Sequence, residues 1–276
     1  MKLYKAHGLG NDYLVLEEGP RLSSALAMAL CDRFRGIGAD GVLEPLPPDQ
    51  NADYAVRIWN PDGSVAEKSG NGLRIFARWL SAERGAGSRF TVSTGPCTVT
   101  CRVTDELISI DMGQATFEPA EIPVLAREPL IDGDIAVENQ VLRVTAVGIG
   151  NPHCVSFWEE PLDTLPWRRW GAALERHAWF PNRTNVQFAR VLGAGRLEIR
   201  IWERGAGETQ ASGSSSCAAA AAAVRTGRLA PGRIEVGMPG GTLWVTVAEH
   251  GILLEGPVEP VARCEMHPQW LAARQG

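Results

Sequence analysis

Four segments of the chain alternate or run apolar with β-branched residues: Tyr54–Trp59, Phe90–Val92, Cys97–Val103 and Leu107–Met112. That pattern predicts strands. Between the first two, Leu73, Phe76, Ala77 and Leu80 recur at i, i+3, i+4 and i+7, the stripe of a helix. Farther on, Ser214 to Val224 is apolar all round and nearly all alanine. Alanine is the best helix former, and a helix apolar on every side is usually buried. Its small side chains predict a helix held closely by surrounding sheet. Leu22–Phe34 and Trp167–Trp179 read as further helices. The expected class is α+β with mostly antiparallel strands.

The pattern occurs twice. Arg57-Ile58-Trp59 is followed after nine residues by Ser69-Gly70, and Arg200-Ile201-Trp202 after nine residues by Ser212-Gly213, an offset of 143. Gly8-Leu9-Gly10-Asn11 matches Gly148-Ile149-Gly150-Asn151 at an offset of 140. A Gly-led strand pair from Thr94 to Gly113 resembles Gly240 to Gly256. Three matches in one order at nearly one offset indicate duplication. The expected organisation is an N-terminal lobe of 1–117, completed by about 261–276, a Pro-rich connection of 118–139, and a C-terminal lobe of 140–260. The lobes are expected to be related by a pseudo-twofold axis with one cleft between them, each a sheet wrapped around a central helix.

Composition narrows the function. The chain has 276 residues, 45% hydrophobic and 21% charged, which is ordinary for a globular protein. A formal net charge of −5 argues against a nucleic-acid partner, because neutralising phosphates needs a basic face. The longest apolar run, Cys217 through Val224, is 8 residues, against the roughly 20 of a bilayer helix. The N-terminus MKLYKAHGLGND carries no signal-peptide pattern, so a cytoplasmic protein without a membrane partner is expected. The six cysteines form no CxxC pair and have no zinc-ligand spacing, so no metal is expected. Only Lys2, Lys5 and Lys68 could form a Schiff base. Lys2 and Lys5 fall in the first strand and Lys68 merely neighbours Ser69, so no pyridoxal cofactor is expected.

In both halves the order is strand, loop, Ser-Gly, helix. Helix N-termini expose free N–H groups with partial positive charge and bind anions such as carboxylates. Gly70-Asn71-Gly72 and Gly213-Ser214 have small residues that let a ligand approach the backbone. Two such ends offer an α-amino acid its carboxylate sites and a side chain on either face of Cα, the geometry of two-base racemisation or epimerisation. Ser69 and Ser212 taken singly are also ordinary N-cap residues.

At these residues the chain resembles the diaminopimelate epimerase family, cofactor-independent enzymes of the lysine and peptidoglycan pathway. The resemblance runs the whole length through His7-Gly8-Leu9-Gly10-Asn11-Asp12, Gly36-Ile37-Gly38-Ala39-Asp40-Gly41, Asn60-Pro61-Asp62-Gly63-Ser64, Gly70-Asn71-Gly72, Gly150-Asn151-Pro152-His153 and Glu203-Arg204-Gly205-Ala206-Gly207-Glu208-Thr209. It implies that Asn11, Asn60, Asn151 and Asn185 are amide ligands for the two amino-acid ends of diaminopimelate. It implies that Arg204 holds the distal carboxylate, a bidentate task suited to arginine. Gly70, Asn71, Gly213 and Ser214 fall where the family offers helix-terminal donors, and His153 and Glu203 match residues that tune the catalytic bases. A homodimer is also implied.

The chain departs from the family where chemistry is concentrated. The family's two bases are cysteines, and those positions are Ser69 and Ser212. A thiol of pKa about 8.5 becomes a thiolate near neutral pH at a helix N-terminus, whereas a serine hydroxyl needs an adjacent base. Cys154 and Cys217 stand at neither base position. Gly41 replaces a glutamine of some members, and Ser215-Ser216 replace a glycine-rich tail. Three explanations stand open: an inactivated epimerase, a diverged isomerase or dehydratase, or a non-catalytic amino-acid-binding protein.

Overall fold

The computed structural model describes all residues except 49, 51, 275 and 276, and its chain divides into two compact units. One comprises Met1–Ile110 and the segment from Gly256 onward, the other Asp111–Glu255. The strands, in order, are β1 (Lys2–Gly8), β2 (Asn11–Glu18), β3 (Val42–Leu46), β4 (Tyr54–Trp59), β5 (Val65–Ala66), β6 (Arg89–Ser93), β7 (Thr98–Val103) and β8 (Ile108–Gly113). They continue as β9 (Gly133–Val137), β10 (Gln140–Gly148), β11 (Pro152–Phe157), β12 (Asn185–Gly193), β13 (Arg196–Glu203), β14 (Gly207–Thr209), β15 (Gly232–Met238), β16 (Gly241–Ala248), β17 (Gly251–Gly256) and β18 (Glu259–Glu265). The helices are α1 (Ser24–Cys31), α2 (Gly70–Glu83), α3 (Trp167–Glu175), α4 (Gly213–Arg225) and α5 (Pro268–Ala272).

In the first unit β1 and β2 pair antiparallel, β2 and β3 parallel, and β3 and β4 antiparallel. β4 then meets β6 in parallel, β7 and β8 follow antiparallel, and the short β5 also lies on β4. The second unit repeats this strand for strand, with β10 to β13 in place of β1 to β4, β14 in place of β5, and β15 to β17 in place of β6 to β8. The duplicated Arg-Ile-Trp tripeptides fall at the ends of β4 and β13. Each unit carries one strand outside the repeat, β18 beside β1 and β9 beside β10. The β1–β2 and β10–β11 turns both require a left-handed residue, met by Gly10 at φ +88° and Gly150 at φ +78°. The repeated Gly-x-Gly-Asn motif is this turn.

The sequence-derived boundaries differ from the structure in five places, the first being that the N-terminal segment of the first unit ends at Ile110 rather than 117. Residues 118–139 are no bare connection: Ile122, Val124, Leu130, Ile135 and Val137 join the second unit's core, and β9 pairs with β10. The second unit ends at Glu255, so the returning segment starts at Gly256 rather than about 261, and residues 275 and 276 lie outside the described residues. α1 ends at Cys31 because the Asp32 carboxylate accepts from the Phe34 and Arg35 N–H groups and turns the chain. α3 ends at Glu175, whose carbonyl accepts from Thr184 instead of from the next helical turn.

α2 rests on β1, β2 and β7, and α4 is surrounded by β10 to β13, β15 and β16. Six consecutive alanines, Ala218 to Ala223, are at most 3% exposed. The alanine run therefore follows from the space between strands, which a larger side chain overfills. Ala220→Leu is expected to destabilise the protein by about 1–3 kcal/mol through overpacking. A denaturant midpoint equal to that of the parent would contradict this close wrapping.

Candidate active site

In the first unit Asp40, Asn11, Asn71 and Arg74 form one hydrogen-bonded chain. The Asp40 carboxylate, delivered by the Gly36–Gly41 motif, accepts from the Asn11 side-chain amide at 2.8 Å and from the Asp12 backbone at 3.1 Å. Asn11 Oδ1 accepts from Asn71 Nδ2 at 2.9 Å, and Asn71 Oδ1 accepts from the buried Arg74 guanidinium at 2.7 Å. Two candidate ligands, Asn11 and Asn71, are thus held by charge at either end. Ser69 is the N-cap of α2: its Oγ accepts from Gly72 N–H at 3.0 Å and lies 3.0 Å from the Tyr13 hydroxyl. Asn60 follows β4 in a tight turn, its carbonyl accepting from Gly63 N–H and its amide donating to Ser64 Oγ at 2.9 Å. Gly41 has no room for a side chain, since a Cβ there would fall 2.5 Å from Tyr13 Cε1 and 2.6 Å from the Trp59 carbonyl. The Tyr13 ring fills the space beside Gly41.

The second unit places the corresponding groups differently. Ser212 occupies the N-cap position of α4, followed by Gly213 and Ser214, but its side chain makes no capping bond. Its carbonyl accepts from the Ser216 N–H and hydroxyl instead. The two serines are therefore unequal: one hydroxyl is tied into its helix and the other is not. His153 is fully buried, with Nε2 2.8 Å from Asn151 Oδ1 and Nδ1 3.0 Å from Gln187 Nε2. Gln187 Nε2 also donates to Ser215 Oγ at 3.0 Å. Gln187 can only donate to Nδ1, so the imidazole carries its proton on Nε2 and donates to Asn151. Burial, with the Arg204 charge acting in the same sense, pushes the His153 pKa down to about 3. His153 is a neutral residue that aims Asn151.

Asn185 and Arg204 form one corner. Asn185 Nδ2 donates to the Pro152 carbonyl at 2.9 Å, and its Oδ1 accepts from Arg204 N–H at 3.0 Å. Both amide ends of Asn185 are therefore engaged. Arg204 stands exposed at the β13–β14 hairpin, its guanidinium donating to the Asn182 carbonyl at 3.3 Å. Glu203 ends β13 opposite Gly207, in the turn equivalent to that of Asn60.

Sequence patterns alone missed Tyr13, Asp40, Arg74 and Gln187. Asp40 lies inside the Gly36–Gly41 motif and Arg74 one helical turn from Asn71, whereas Tyr13 and Gln187 are defined by contacts distant in sequence. Among the described residues no three His, Cys, Asp or Glu side chains gather to hold a metal ion, and no helix is long and apolar enough to cross a membrane. Lys5 donates to Asp12 and to the Gly38 carbonyl. Burial pushes the Cys101 thiol up to about 12 and that of Cys154 still higher, so neither is a ready thiolate. A cavity of about 380 Å³, lined among others by Leu16, Tyr54, Phe76 and Trp79, lies towards the C-terminal end of α2, away from Ser69.

Known proteins share both the sequence and the fold. The family model described as diaminopimelate epimerase matches residues 3–118 and 145–261. A diaminopimelate epimerase of Synechococcus elongatus is 40% identical over 271 residues, covering 95% of this chain and 96% of its own. A chloroplastic diaminopimelate epimerase of Oryza sativa subsp. japonica is 38% identical, covering 93% of this chain and 77% of its own. Among solved structures, a hydroxyproline epimerase from Agrobacterium vitis superposes with a TM-score of 0.69 at 17% identity, covering 100% of this chain and 98% of its own. A Bacillus anthracis phenazine biosynthesis protein gives 0.69 at 15% identity, covering 97% and 99%. At such identities the structural likeness is one of fold, while the sequence relatives carry the family assignment. With the family model matched over two stretches that span most of the chain and relatives near 40% identical over almost the whole length, the chain belongs to the diaminopimelate epimerase family.

Proposed function

We propose that the chain acts on diaminopimelate, interconverting its LL and meso forms by proton transfer at the α-carbon, in the cytoplasm and without metal or organic cofactor. In this reading the residues at 69 and 212 are the two acid–base groups, and Gly70, Asn71, Gly213 and Ser214 offer N–H groups to the reacting carboxylate. Asn11, Asn60, Asn151 and Asn185 surround the amino groups, and Arg204 takes the distal carboxylate. His153 and Glu203 set the environment of the second base. The family match over both halves, with a serine at the N-cap position of each of the two helices, is the observation that carries it. Turnover is expected to be slow, because Ser69 bonds to Tyr13 and Gly72, neither of them a base that could ionise it.

The same observation favours a second reading, an amino-acid-binding protein without turnover. The two part on one measurement: only the enzyme exchanges the substrate's α-hydrogen with deuterium from solvent. Both require Arg204. Arg204→Ala is expected to weaken diaminopimelate binding roughly 10- to 100-fold, the loss of a hydrogen-bonded charge pair. Unchanged affinity in calorimetric titration would show that the assigned orientation is wrong.

A further inference from the structure

We propose that Glu175 is the positioning residue for the distal-carboxylate arm, its buried side chain holding the Trp202 indole on one side of Arg204 and the Gly205 backbone on the other. The inference rests on the function proposed above and deepens it. Glu175 is the last residue of α3 and is 3% exposed. Its Oε2 accepts the Trp202 indole N–H at 3.0 Å, and its Oε1 accepts the Gly205 backbone N–H at 2.9 Å. Those partners stand two residues before and one residue after Arg204. The Glu175 carbonyl accepts from Thr184 N–H at 3.1 Å, which sets the start of β12 at Asn185, and Asn185 Oδ1 receives the Arg204 N–H. One residue thereby fixes both strands that carry this corner.

A buried carboxylate is costly unless hydrogen bonds and counter-charges compensate it. Here Arg183 lies 3.6 Å away and Arg176 4.0 Å. Burial raises the carboxyl pKa, but the bonds from Trp202 and Gly205 and the two arginines more than offset it, so the group stays ionised. α3 is pressed onto the same tryptophan: a Cβ at Gly171 would fall 2.8 Å from Trp202 Cβ. The first unit contains the same device made from a different element. There the Trp59 indole donates to buried Glu44 Oε2 at 3.0 Å, and Trp59 immediately precedes Asn60. Glu44 sits opposite Arg57 on β3, and the equivalent place on β12, opposite Arg200, is Phe188. Duplication alone does not account for two carboxylates from non-equivalent positions. An indole anchored beside each site turn does.

The test is calorimetric binding of meso-diaminopimelate and of L-lysine, which lacks the distal carboxylate, to the whole chain and to Glu175→Gln. The parent is expected to prefer diaminopimelate. Glu175→Gln presents an amide donor to one of two N–H donors, and is expected to cut that preference at least tenfold while leaving lysine affinity within a factor of two. Trp202→Phe removes one of the two bonds, serves if Glu175→Gln does not fold, and is expected to cut the preference in the same sense by less. Glu175→Asp, which keeps the charge, should recover part of it. Equal losses for both ligands would mean a merely structural role and overturn the proposal. A parent with the preference and variants that retain it in full would overturn the role of Glu175 alone. A parent with no preference would overturn it together with the assigned role of Arg204.

Discussion

Replacing Ser69 and Ser212 together by cysteine is expected to raise the rate of α-hydrogen exchange in diaminopimelate by about 10³-fold or more. A positioned acid–base group contributes roughly 10²–10⁴-fold, and its effectiveness depends on a pKa near the working pH. Cysteine at a helix N-terminus meets that condition and serine does not. Either single replacement should recover much less, because groups that act as a unit are strongly non-additive. The two singles should also differ from each other. Ser69→Cys puts sulfur where an oxygen now accepts from Gly72 and contacts Tyr13, whereas Ser212 makes no capping bond to be lost. Deuterium incorporation followed by mass spectrometry, with stereoisomers separated by chromatography, reads both effects. Brisk turnover by the parent chain would reveal another base and end the explanation by inactivation. A double variant that binds yet does not exchange would mean that the substrate is a different one.

The second large effect concerns stability against acid. His153 titrates at about 3 in the folded protein, against 6.5 for an unperturbed imidazole. The folded-state value is the lower one, so as pH falls the unfolded chain takes up the proton first. Stability is therefore fully present above about pH 6.5 and declines by about 1.4 kcal/mol per pH unit down to about 3. Denaturant unfolding of parent and His153→Gln at pH 7.5, 6, 5.5 and 5 isolates the effect, because these points lie above the carboxylate range. The parent should lose stability across the series and the variant should hold nearly level. Parallel curves would show that His153 takes up its proton as readily folded as unfolded, so that its Nδ1 does not accept from Gln187 in the way described.

The architecture was legible because it is written twice. Strand β4 and the extent of α4 follow closely from alternation and from the alanine run, and the Arg-Ile-Trp and Gly-x-Gly-Asn pairs gave the duplication that strand order confirms. Most errors arose where a contact outside the local pattern decides a boundary. Nothing local in the α3 segment announces that the Glu175 carbonyl is taken by Thr184, or that residues 118–139 contribute Ile122 and Ile135 to a core. The candidate site was legible as a set of residues and not as a network. Asn11 and Asn71 are 60 positions apart yet directly bonded, and the inequality of Ser69 with Ser212 depends on a hydroxyl from Tyr13 that helix-cap reasoning does not reach.

The interrupted first unit has a consequence for how the protein is made. Its strand β1 is synthesised long before the strand that covers it, β18, with the whole second unit between them. Until β18 emerges, β1 presents on that edge an unpaired row of N–H and C=O groups, and open strand edges recruit other chains. The second unit, being continuous in sequence, has no such wait. The nascent polypeptide thus passes through a stage in which one half can be finished and the other has an open seam. The eventual cover suits that history: β18 carries Glu259, Pro260, Arg263 and Glu265, and its residues stay largely exposed. Charges and a proline on an outermost strand discourage further pairing, so the last strand both closes the seam and ends the sheet.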